Sequence, residues 1–308
     1  MQRVLLLLAV VLTCSFTTKQ VDEKVEGVFV KTEVDEGICH YLFEGYDEIT
    51  EAMQTVNVLR VDLDNENYRV LFDYGSDSTS SAALKHNAIA AINATYEADA
   101  SYIRVNGHNH SEVSIPADHL RFWKHDGALV LDGDRNLSIV HGAASGPATS
   151  EGGVAAISLY KSLTALNVFS SSPMLIDDYN QVGACFVPEP LEKPIKEYQY
   201  EDYRRHQSVR HPRVAVALTE DNDMLLVVVD GRWQTAAGMS AKELTLFLAK
   251  HFNPRWALNM DGGGSSTMYL KGYGAEDTNV LNYPTDNRRY DHYGQRRICT
   301  HILVTKVK

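Results

Sequence analysis

The sequence predicts a single α+β domain with mixed or antiparallel sheets and a few helices. Three observations support this fold class: runs of alternating or β-branched apolar residues recur, clear helix patterns are few, and no internal repeat is present. The 308 residues are enough to bury a sizeable core. An apolar content of 44% and a charged content of 22% are ordinary for a globular protein.

The first 20 residues are predicted to be a signal peptide, which we exclude from the fold. One Arg precedes an apolar run from Val4 to Leu12, which is too short to span a bilayer comfortably. Cys14 follows this run, so lipid attachment at Cys14 and simple secretion both remain open. We expect an exported protein, periplasmic or on the outer surface, that meets a membrane only through such an anchor.

The composition of the chain also limits which partners it could bind and which disulfides it could form. A formal net charge of -11 argues against a nucleic-acid binder, although an anionic substrate needs only local positive charge. Three further cysteines follow the signal peptide: Cys39, Cys185 and Cys299. An exported location permits one disulfide among them, but buried thiols are the simpler interpretation. Their wide spacing matches no zinc pattern.

The first half of the chain predicts strands around one short helix. Residues 21–50 are charged and mixed, and we interpret them as a loose lead-in to a domain over 51–308. Residues 57–75 contain two alternating runs around a polar turn, which predicts a β-hairpin and is favoured over a degenerate calcium loop. Residues 78–97 predict a capped helix and then a buried strand. Residues 121–140 predict strands joined by Asp-Gly turns.

The second half is predicted with clearer boundaries. Residues 188–212 are rich in Pro, Tyr and charge, which indicates a long surface loop and a candidate lid. The clearest helix covers 240–252, where Ser240 and Glu243 form a capping-box pattern. The other predicted elements are a hairpin over 213–232, strands at 256–260 and 267–270, and a terminal strand over 297–307.

The stretch "ALNMDGGGSSTMYLKG", residues 257–272, carries the strongest functional signal. A strand runs into Asp261, and Gly262, Gly263 and Gly264 then let a ligand approach bare backbone N–H groups, which together can form an anion-binding nest. Ser265 and Ser266 add hydroxyl donors. A phosphate beside a carboxylate is therefore a sensible occupant of this loop.

Simpler explanations of the motif fit less well. A tight hairpin would account for one or two glycines, but not for three followed by two serines. A Walker A loop would end in Gly-Lys-Ser or Gly-Lys-Thr and open a helix, which this segment does not. The Gly-x-Ser-x-Gly nucleophile elbow is absent as well.

The motif resembles the signature of the phosphodiester glycosidase domain family. Other segments resemble family motifs in the same order: "SSSPMLI", "HPRVAVAL", "LLVVVDGR", "GMSAKEL", "LNYPTDN" and "RRICTHILV". The resemblance covers roughly residues 55–305 and is strongest after His211. Two departures stand out. The family's Asn-Gly-Gly-Phe-Phe segment reads Asn-Ala-Thr-Tyr-Glu at 93–97, and Val214 replaces a Thr.

The resemblance implies hydrolysis of a sugar-1-phosphodiester of the N-acetylglucosamine-1-phosphodiester type. The leaving group would be a phosphate monoester, whose second pKa is about 6, so it departs as an anion without needing a proton. An ordinary glycosidase needs a second carboxyl group to protonate its leaving alcohol. One carboxylate with a phosphate clamp is therefore chemically sufficient.

We assign roles to the candidate residues on this basis. Asp261 is the nucleophile, the general base or the stabiliser of an oxocarbenium-like transition state, and Glu97 is a second carboxylate candidate. Arg213 and Arg232 are the cations expected on the phosphate, because a guanidinium matches its oxygens. The residues expected to bind phosphate or sugar hydroxyls are Asn93, Asn259, Gly262, Gly263, Gly264, Ser265 and Ser266. Asp230 is a substrate-site candidate that can also pair with Arg213.

Two other functions remain open at this point. A surface carbohydrate-binding protein without catalysis is kept open by the altered 93–97 segment. A phosphodiesterase that cuts at phosphorus would usually want a metal pair, and His108 and His110 alone do not make a metal site. We expect no cofactor, although a divalent cation held by Asp261 stays compatible with the sequence. The expected partner is a glycan or sugar-phosphodiester substrate.

Overall fold

The computed structural model describes residues 25–113, 120–142 and 149–307. The signal peptide predicted at 1–20, including Cys14, lies outside the described residues. Among the helices of the described part, none has the length and hydropathy required to cross a membrane.

The described residues form three antiparallel sheets and four α-helices. The strands are β1 (Val28–Asp35), β2 (Ile38–Asp47), β3 (Ala52–Asp62), β4 (Tyr68–Asp77), β5 (Ala88–Asn93), β6 (Ile103–Val105), β7 (His108–Asn109), β8 (Gly127–Asp132), β9 (Asn136–His141), β10 (Asn167–Ser171), β11 (Met174–Ile176), β12 (Arg213–Leu218), β13 (Asp223–Val229), β14 (Trp256–Asn259), β15 (Met268–Leu270) and β16 (Ile298–Lys306). The helices are α1 (Thr79–Lys85), α2 (Ser150–Ser162), α3 (Tyr203–Ser208) and α4 (Ala241–His251).

The three sheets share one central core. The seven-stranded sheet has the order β1-β2-β3-β13-β12-β14-β11, the five-stranded sheet β7-β6-β10-β8-β9, and the four-stranded sheet β15-β5-β16-β4. Val216 of the first sheet, Leu129 of the second and Ile92 of the third belong to the same buried cluster. On its other face the seven-stranded sheet packs Val227 against Phe247 of α4. Strands buried on both faces have continuous apolar sequences, as β12 and β13 do. The α+β prediction is confirmed.

Several predicted elements are confirmed in detail. β12 and β13 pair as the predicted hairpin, and so do β8 and β9. The Ser240 hydroxyl accepts from the Glu243 backbone N–H, while the Glu243 carboxylate accepts from the Ser240 N–H, so the capping box begins α4 as predicted. Helix α2 was not predicted, because two adjacent glycines, Gly152 and Gly153, weaken its helix pattern.

Two predictions for the first half are wrong. Residues 57–75 do not form a hairpin, because β3 pairs with β2 and β13 whereas β4 pairs with β16 in another sheet. Alternation identifies strands but does not identify their partners. Residues 28–47 are not a loose lead-in, since β1 and β2 extend the seven-stranded sheet. Charged residues such as Lys31, Glu33 and Glu44 are exposed on these strands, so composition concealed the strand pattern.

The cysteines are free thiols. Cys39, Cys185 and Cys299 form no disulfide with one another in the described structure. Cys39 and Cys299 are partly buried, whereas Cys185 is exposed, so the expectation of buried thiols is wrong for Cys185. Burial raises the pKa of the Cys299 thiol to about 11, which keeps it protonated and weakly reactive.

Candidate active site

The Asp-Gly-Gly-Gly-Ser-Ser segment joins two different sheets. It leaves β14 of the seven-stranded sheet and enters β15 of the four-stranded sheet. Residues 263–265 form a short 3₁₀ turn within it. The segment is therefore a crossing between layers, which explains why a two-residue hairpin turn would not satisfy the sequence.

Backbone contacts hold this crossing in place. The Asp261 N–H donates to the Ala94 carbonyl oxygen over 2.9 Å, and the Gly263 N–H donates to the Pro212 carbonyl oxygen over 2.8 Å. Gly262 must lack a side chain, since a Cβ there would lie 2.6 Å from the Pro212 carbonyl oxygen. Gly263 adopts a φ of +64°, a left-handed conformation that Gly accommodates most readily. β5 and the start of β12 thus fix the position of Asp261.

A cavity of about 190 Å³ opens over this segment. Asp261 and the three glycines form its floor. One wall, which we call the basic wall, is made by Arg232 and Arg296. The other lining residues, which we call the mixed wall, are Tyr96, Glu97, Lys124, Tyr200, Glu201, His206, His211, Pro212 and Arg213. The cavity therefore surrounds Asp261 with cationic side chains and with two further carboxylates, Glu97 and Glu201.

Asp261 is half-buried at the floor of the cavity. Burial, together with the negative charge of Glu97, raises the pKa of its carboxyl group to about 6. A hydrogen bond from Ser265 and the positive charges of Lys124 and Arg296 oppose this rise. Asp261 is thus ionised at neutral pH but readily protonated below it, which suits a nucleophile or general base.

The basic wall presents two exposed arginines that other residues orient. Arg232 donates from Nη1 to the Thr285 hydroxyl over 3.0 Å. Arg296 donates to Oδ1 of Asp286 from Nε over 2.9 Å and from Nη2 over 2.5 Å. A Cβ at Gly264 would lie 2.6 Å from Nη2 of Arg296, so the bare glycine allows this guanidinium to approach the floor.

The mixed wall contains a buried lysine among rings and carboxylates. The Lys124 side chain is almost fully buried, with Nζ 3.1 Å from Oε2 of Glu201 and 4.4 Å from the centroid of the Tyr96 ring. Burial, followed by the nearby Arg213 charge, lowers the pKa of His211 to about 4 and the pKa of His206 well below its ordinary value. Both imidazoles are therefore neutral and add no charge to this wall.

Comparison with known sequences now identifies the family. The sequence model of the phosphodiester glycosidase family matches residues 86–305. The chain belongs to the phosphodiester glycosidase family. Among curated proteins, the SPbeta prophage-derived uncharacterized protein YomE of Bacillus subtilis (strain 168) is 31% identical over 110 residues, which is 31% of this chain and 17% of that protein. The chain thus spans less than two thirds of that relative.

Solved structures resemble this member of the family in fold. The zebrafish N-acetylglucosamine-1-phosphodiester alpha-N-acetylglucosaminidase catalytic domain, auto-inhibited by its pro-peptide, is 17% identical with a TM-score of 0.55, over 92% of this chain and 83% of that one. A hypothetical protein from Synechocystis is 14% identical with a TM-score of 0.54, over 91% of this chain and 64% of that one. At identities this low the two structures establish a shared fold.

Arg213 lines the cavity, but its guanidinium is hydrogen-bonded within the protein. It donates from Nε to the Met239 carbonyl oxygen over 2.9 Å and from Nη1 to Oε1 of Gln207 over 2.8 Å. Nη2 donates to the carbonyl oxygens of His206 and Val209, each over 3.1 Å. These contacts hold the 206–209 backbone and use most of the donors of this guanidinium, so phosphate binding by Arg213 stays a prediction. Burial lowers its pKa to about 10, which leaves it charged.

Three predicted polar ligands are structural as well. Asn93 and Asn259 are fully buried, and their side-chain amides donate to the carbonyl oxygens of Asp261 and Ser172, each over 2.7 Å. Asp230 is fully buried too, and it accepts from Asn282 and from the Tyr283 N–H instead of pairing with Arg213. These three side chains do make polar contacts, as expected from their residue types, but their observed partners are other groups of the protein.

Most hydroxyl and N–H groups of the glycine-rich motif make hydrogen bonds within the protein. Ser265 bonds to the Asp261 carboxylate, and Ser266 is fully buried behind the floor. The N–H groups of Gly263, Ser265 and Ser266 donate to backbone carbonyl oxygens. Fewer N–H groups are therefore available to bind an anion than the sequence predicted. The glycines act mainly by leaving room for Asp261, Arg232 and Arg296.

Sequence reasoning missed Lys124 and Arg296, and it did not single out Glu201. Lys124 lies in a short 3₁₀ helix at 122–125 that had been interpreted as strand and turn. Arg296 precedes β16 in a segment noted for its resemblance alone. The Tyr-rich stretch predicted as a lid does contribute to the cavity through Tyr200, Glu201 and His206. In the described residues no group of three His, Cys, Asp or Glu is arranged to hold a metal ion.

Proposed function

We propose that this phosphodiester glycosidase hydrolyses a sugar-1-phosphodiester of the N-acetylglucosamine-1-phosphodiester type, releasing free sugar and a phosphate monoester. The observation that supports this most strongly is the position of Asp261. A half-buried carboxylate lies in one cavity with the exposed guanidinium groups of Arg232 and Arg296. That combination matches a substrate with an electrophilic anomeric carbon attached to an anion.

The proposed reaction breaks the bond between the anomeric carbon and the bridging phosphate oxygen. The bridging oxygen keeps the electron pair, and the phosphate monoester leaves as an anion between Arg232 and Arg296. Asp261 either attacks the anomeric carbon or removes a proton from the attacking water. If Asp261 attacks, water then displaces its carboxylate from the anomeric carbon. In both cases water supplies the hydroxyl group of the released sugar, and the proton of that water passes to Asp261 and then to solvent.

The mixed wall then receives the sugar. The phenol of Tyr200 is 58% exposed, so it offers a ring face to the sugar at the cavity rim. Glu97 is exposed at the same rim, where it can hydrogen-bond sugar hydroxyls or assist the attacking water. This orientation puts the sugar beside Glu97 and Tyr200 and the phosphate beside Arg232 and Arg296.

The test is hydrolysis of a synthetic N-acetylglucosamine-α-1-phosphodiester in ¹⁸O-labelled water. We expect the label in the released sugar, because the bond at carbon breaks, and no effect of a chelator, because we propose no metal or other cofactor. Label in the phosphate product would instead identify a phosphodiesterase and overturn the proposal.

Asp261→Asn should abolish turnover, whereas Asp221→Asn, an equal change in the exposed β12–β13 turn, should not alter it. Binding of the compound by wild type without turnover would favour the carbohydrate-binding alternative. We also propose export of the protein, with or without lipid at Cys14. Fractionation of cells expressing wild type and Cys14→Ser would test both points.

A further inference from the structure

A surface next to the basic wall has the chemistry of a second binding subsite. Residues 283–297 read "YPTDNRRYDHYGQRR" and include four Arg against two Asp, in a chain whose net charge is -11. Most of this segment is exposed, including Arg288 and Arg289. The negative charges of Asp277 and Glu276 act on Tyr293 and that of Glu44 acts on Tyr283, so the attraction for an anion is assigned to the exposed Arg288 and Arg289.

The segment is attached directly to the cavity. Thr285 accepts the hydrogen bond from Arg232, and Asp286 holds Arg296. Trp233, the neighbour of Arg232, contacts the ring of Tyr290 with 5.4 Å between centroids. A ligand that leaves the cavity past the basic wall therefore meets residues 285–290.

Stacked rings fix the shape of this surface. The rings of Tyr283 and Tyr290 are parallel within 10°, with centroids 4.0 Å apart, and His292 packs on Tyr283 at 4.3 Å. Tyr290 remains 37% exposed. Arg288 and Arg289, both exposed, immediately precede Tyr290 in the chain, so this short stretch offers two guanidinium groups and a supported aromatic ring. Rings bind sugar or polyol carbons, while paired arginines bind phosphate.

We propose that residues 283–297 form a leaving-group subsite for a substrate that carries a second phosphate beyond the scissile one, as in a polyol-phosphate or glycosyl-phosphate chain. This inference rests on the proposed function. Arg232 and Arg296 hold the scissile phosphate, and Arg288 and Arg289 hold the next phosphate along the chain. The protein would then prefer phosphate-linked polymers or oligomers over small diesters.

The test compares two synthetic diesters of N-acetylglucosamine-α-1-phosphate. One is the methyl diester, and the other is the diester with glycerol 3-phosphate, whose leaving group carries a second phosphate. We expect a KM roughly tenfold lower or more for the second compound, since charge-assisted bonds to a phosphate are worth that much. Raised ionic strength should reduce this preference.

The variant that tests the assignment is Arg288→Gln with Arg289→Gln. It should raise KM for the two-phosphate compound to that of the methyl diester, with little change in kcat. The control is Arg135→Gln, which removes an arginine from the distant β8–β9 turn and should change neither compound. Equal KM values for the two compounds in wild type, or an equal rise for both in the double variant, would overturn the subsite.

Calorimetry with the same two compounds separates this inference from the proposed function. If neither compound is hydrolysed but the two-phosphate compound binds more tightly, and the double variant abolishes the difference, the subsite stands and the proposed reaction fails. If both are hydrolysed but bind alike, the reaction stands and the subsite is wrong. Tight binding of single-stranded nucleic acid instead, lost in the double variant, would also contradict the proposed occupant.

Discussion

Asn93 donates from its side-chain Nδ2 to the backbone carbonyl oxygen of Asp261 over 2.7 Å. Its Oδ1 accepts from the Thr267 N–H over 2.9 Å, so one buried amide joins the two ends of the glycine-rich segment. Asn93 ends β5, and the Thr267 N–H immediately precedes β15. The carboxylate is therefore positioned by a side chain far from it in sequence.

Replacement of Asn93 should lower both activity and stability. Asn93→Ala leaves the Thr267 N–H and the Asp261 carbonyl oxygen without their partner, which costs about 1–3 kcal/mol when such groups are buried. We expect urea unfolding to show this loss and kcat to fall, since Asp261 is no longer held. Asn109→Ala, at an exposed site in β7, is the matched control and should leave both quantities nearly unchanged. Unaltered kcat in Asn93→Ala would contradict the positioning role.

The pH profile should report the carboxyl group of Asp261. Its pKa is raised to about 6, and the ionised form is the reactive one, so kcat/KM should fall as pH falls through about 6. Glu97→Gln removes a negative charge that raises this pKa, so the acid limb should move to lower pH. Glu51→Gln is the remote control. An acid limb that stays in place in Glu97→Gln would show that the two carboxyl groups are not coupled.

Asp230 should make stability depend on pH. Burial raises its pKa from 3.8 to about 7 in the folded protein. Between these values the unfolded chain has lost the proton that the folded protein retains, so the free energy of unfolding falls as pH rises from about 4 to about 7. The full shift in the pKa of Asp230 corresponds to at most about 4 kcal/mol in the free energy of unfolding. Above about pH 7 this group adds no further pH dependence.

The variant Asp230→Asn keeps an oxygen acceptor for Asn282 and Tyr283 and removes the charge. Its free energy of unfolding, measured with urea at several pH values, should decline less between pH about 4 and 7 than that of wild type. Asp134→Asn, on the exposed β8–β9 turn, serves as the control. Parallel curves for wild type and Asp230→Asn would refute the assignment.

A methyl group at Gly262 should disrupt the floor of the cavity. Its Cβ would lie 2.6 Å from the Pro212 carbonyl oxygen, which is a backbone atom and cannot rotate away. We expect Gly262→Ala to displace Asp261 and reduce kcat by tenfold or more, which is about 1.4 kcal/mol of barrier. Gly75→Ala, whose Cβ would meet its nearest neighbour at an ordinary 3.5 Å, should be close to neutral in the same assay.

The local elements were determined by the sequence itself. Apolar runs predicted β12, β13 and β16, the Ser240–Glu243 pattern predicted the start of α4, and the glycine-rich segment identified Asp261. Each of these depends on neighbours within a few residues. The family, and with it the expected reaction type, followed from motifs of the same kind.

The tertiary structure decided which of these residues face the cavity. Arg213 and Arg232 are equivalent as residue types, yet the Arg213 guanidinium is committed to carbonyl oxygens and that of Arg232 is exposed in the cavity. Lys124 and Arg296 enter the site from segments that no local pattern marks. A buried polar side chain must find partners, and those partners come from distant strands and loops. The residues close in sequence do not show which distant partner a polar side chain will have. Only the assembled sheets therefore show which polar side chains face the cavity and which stabilise the fold.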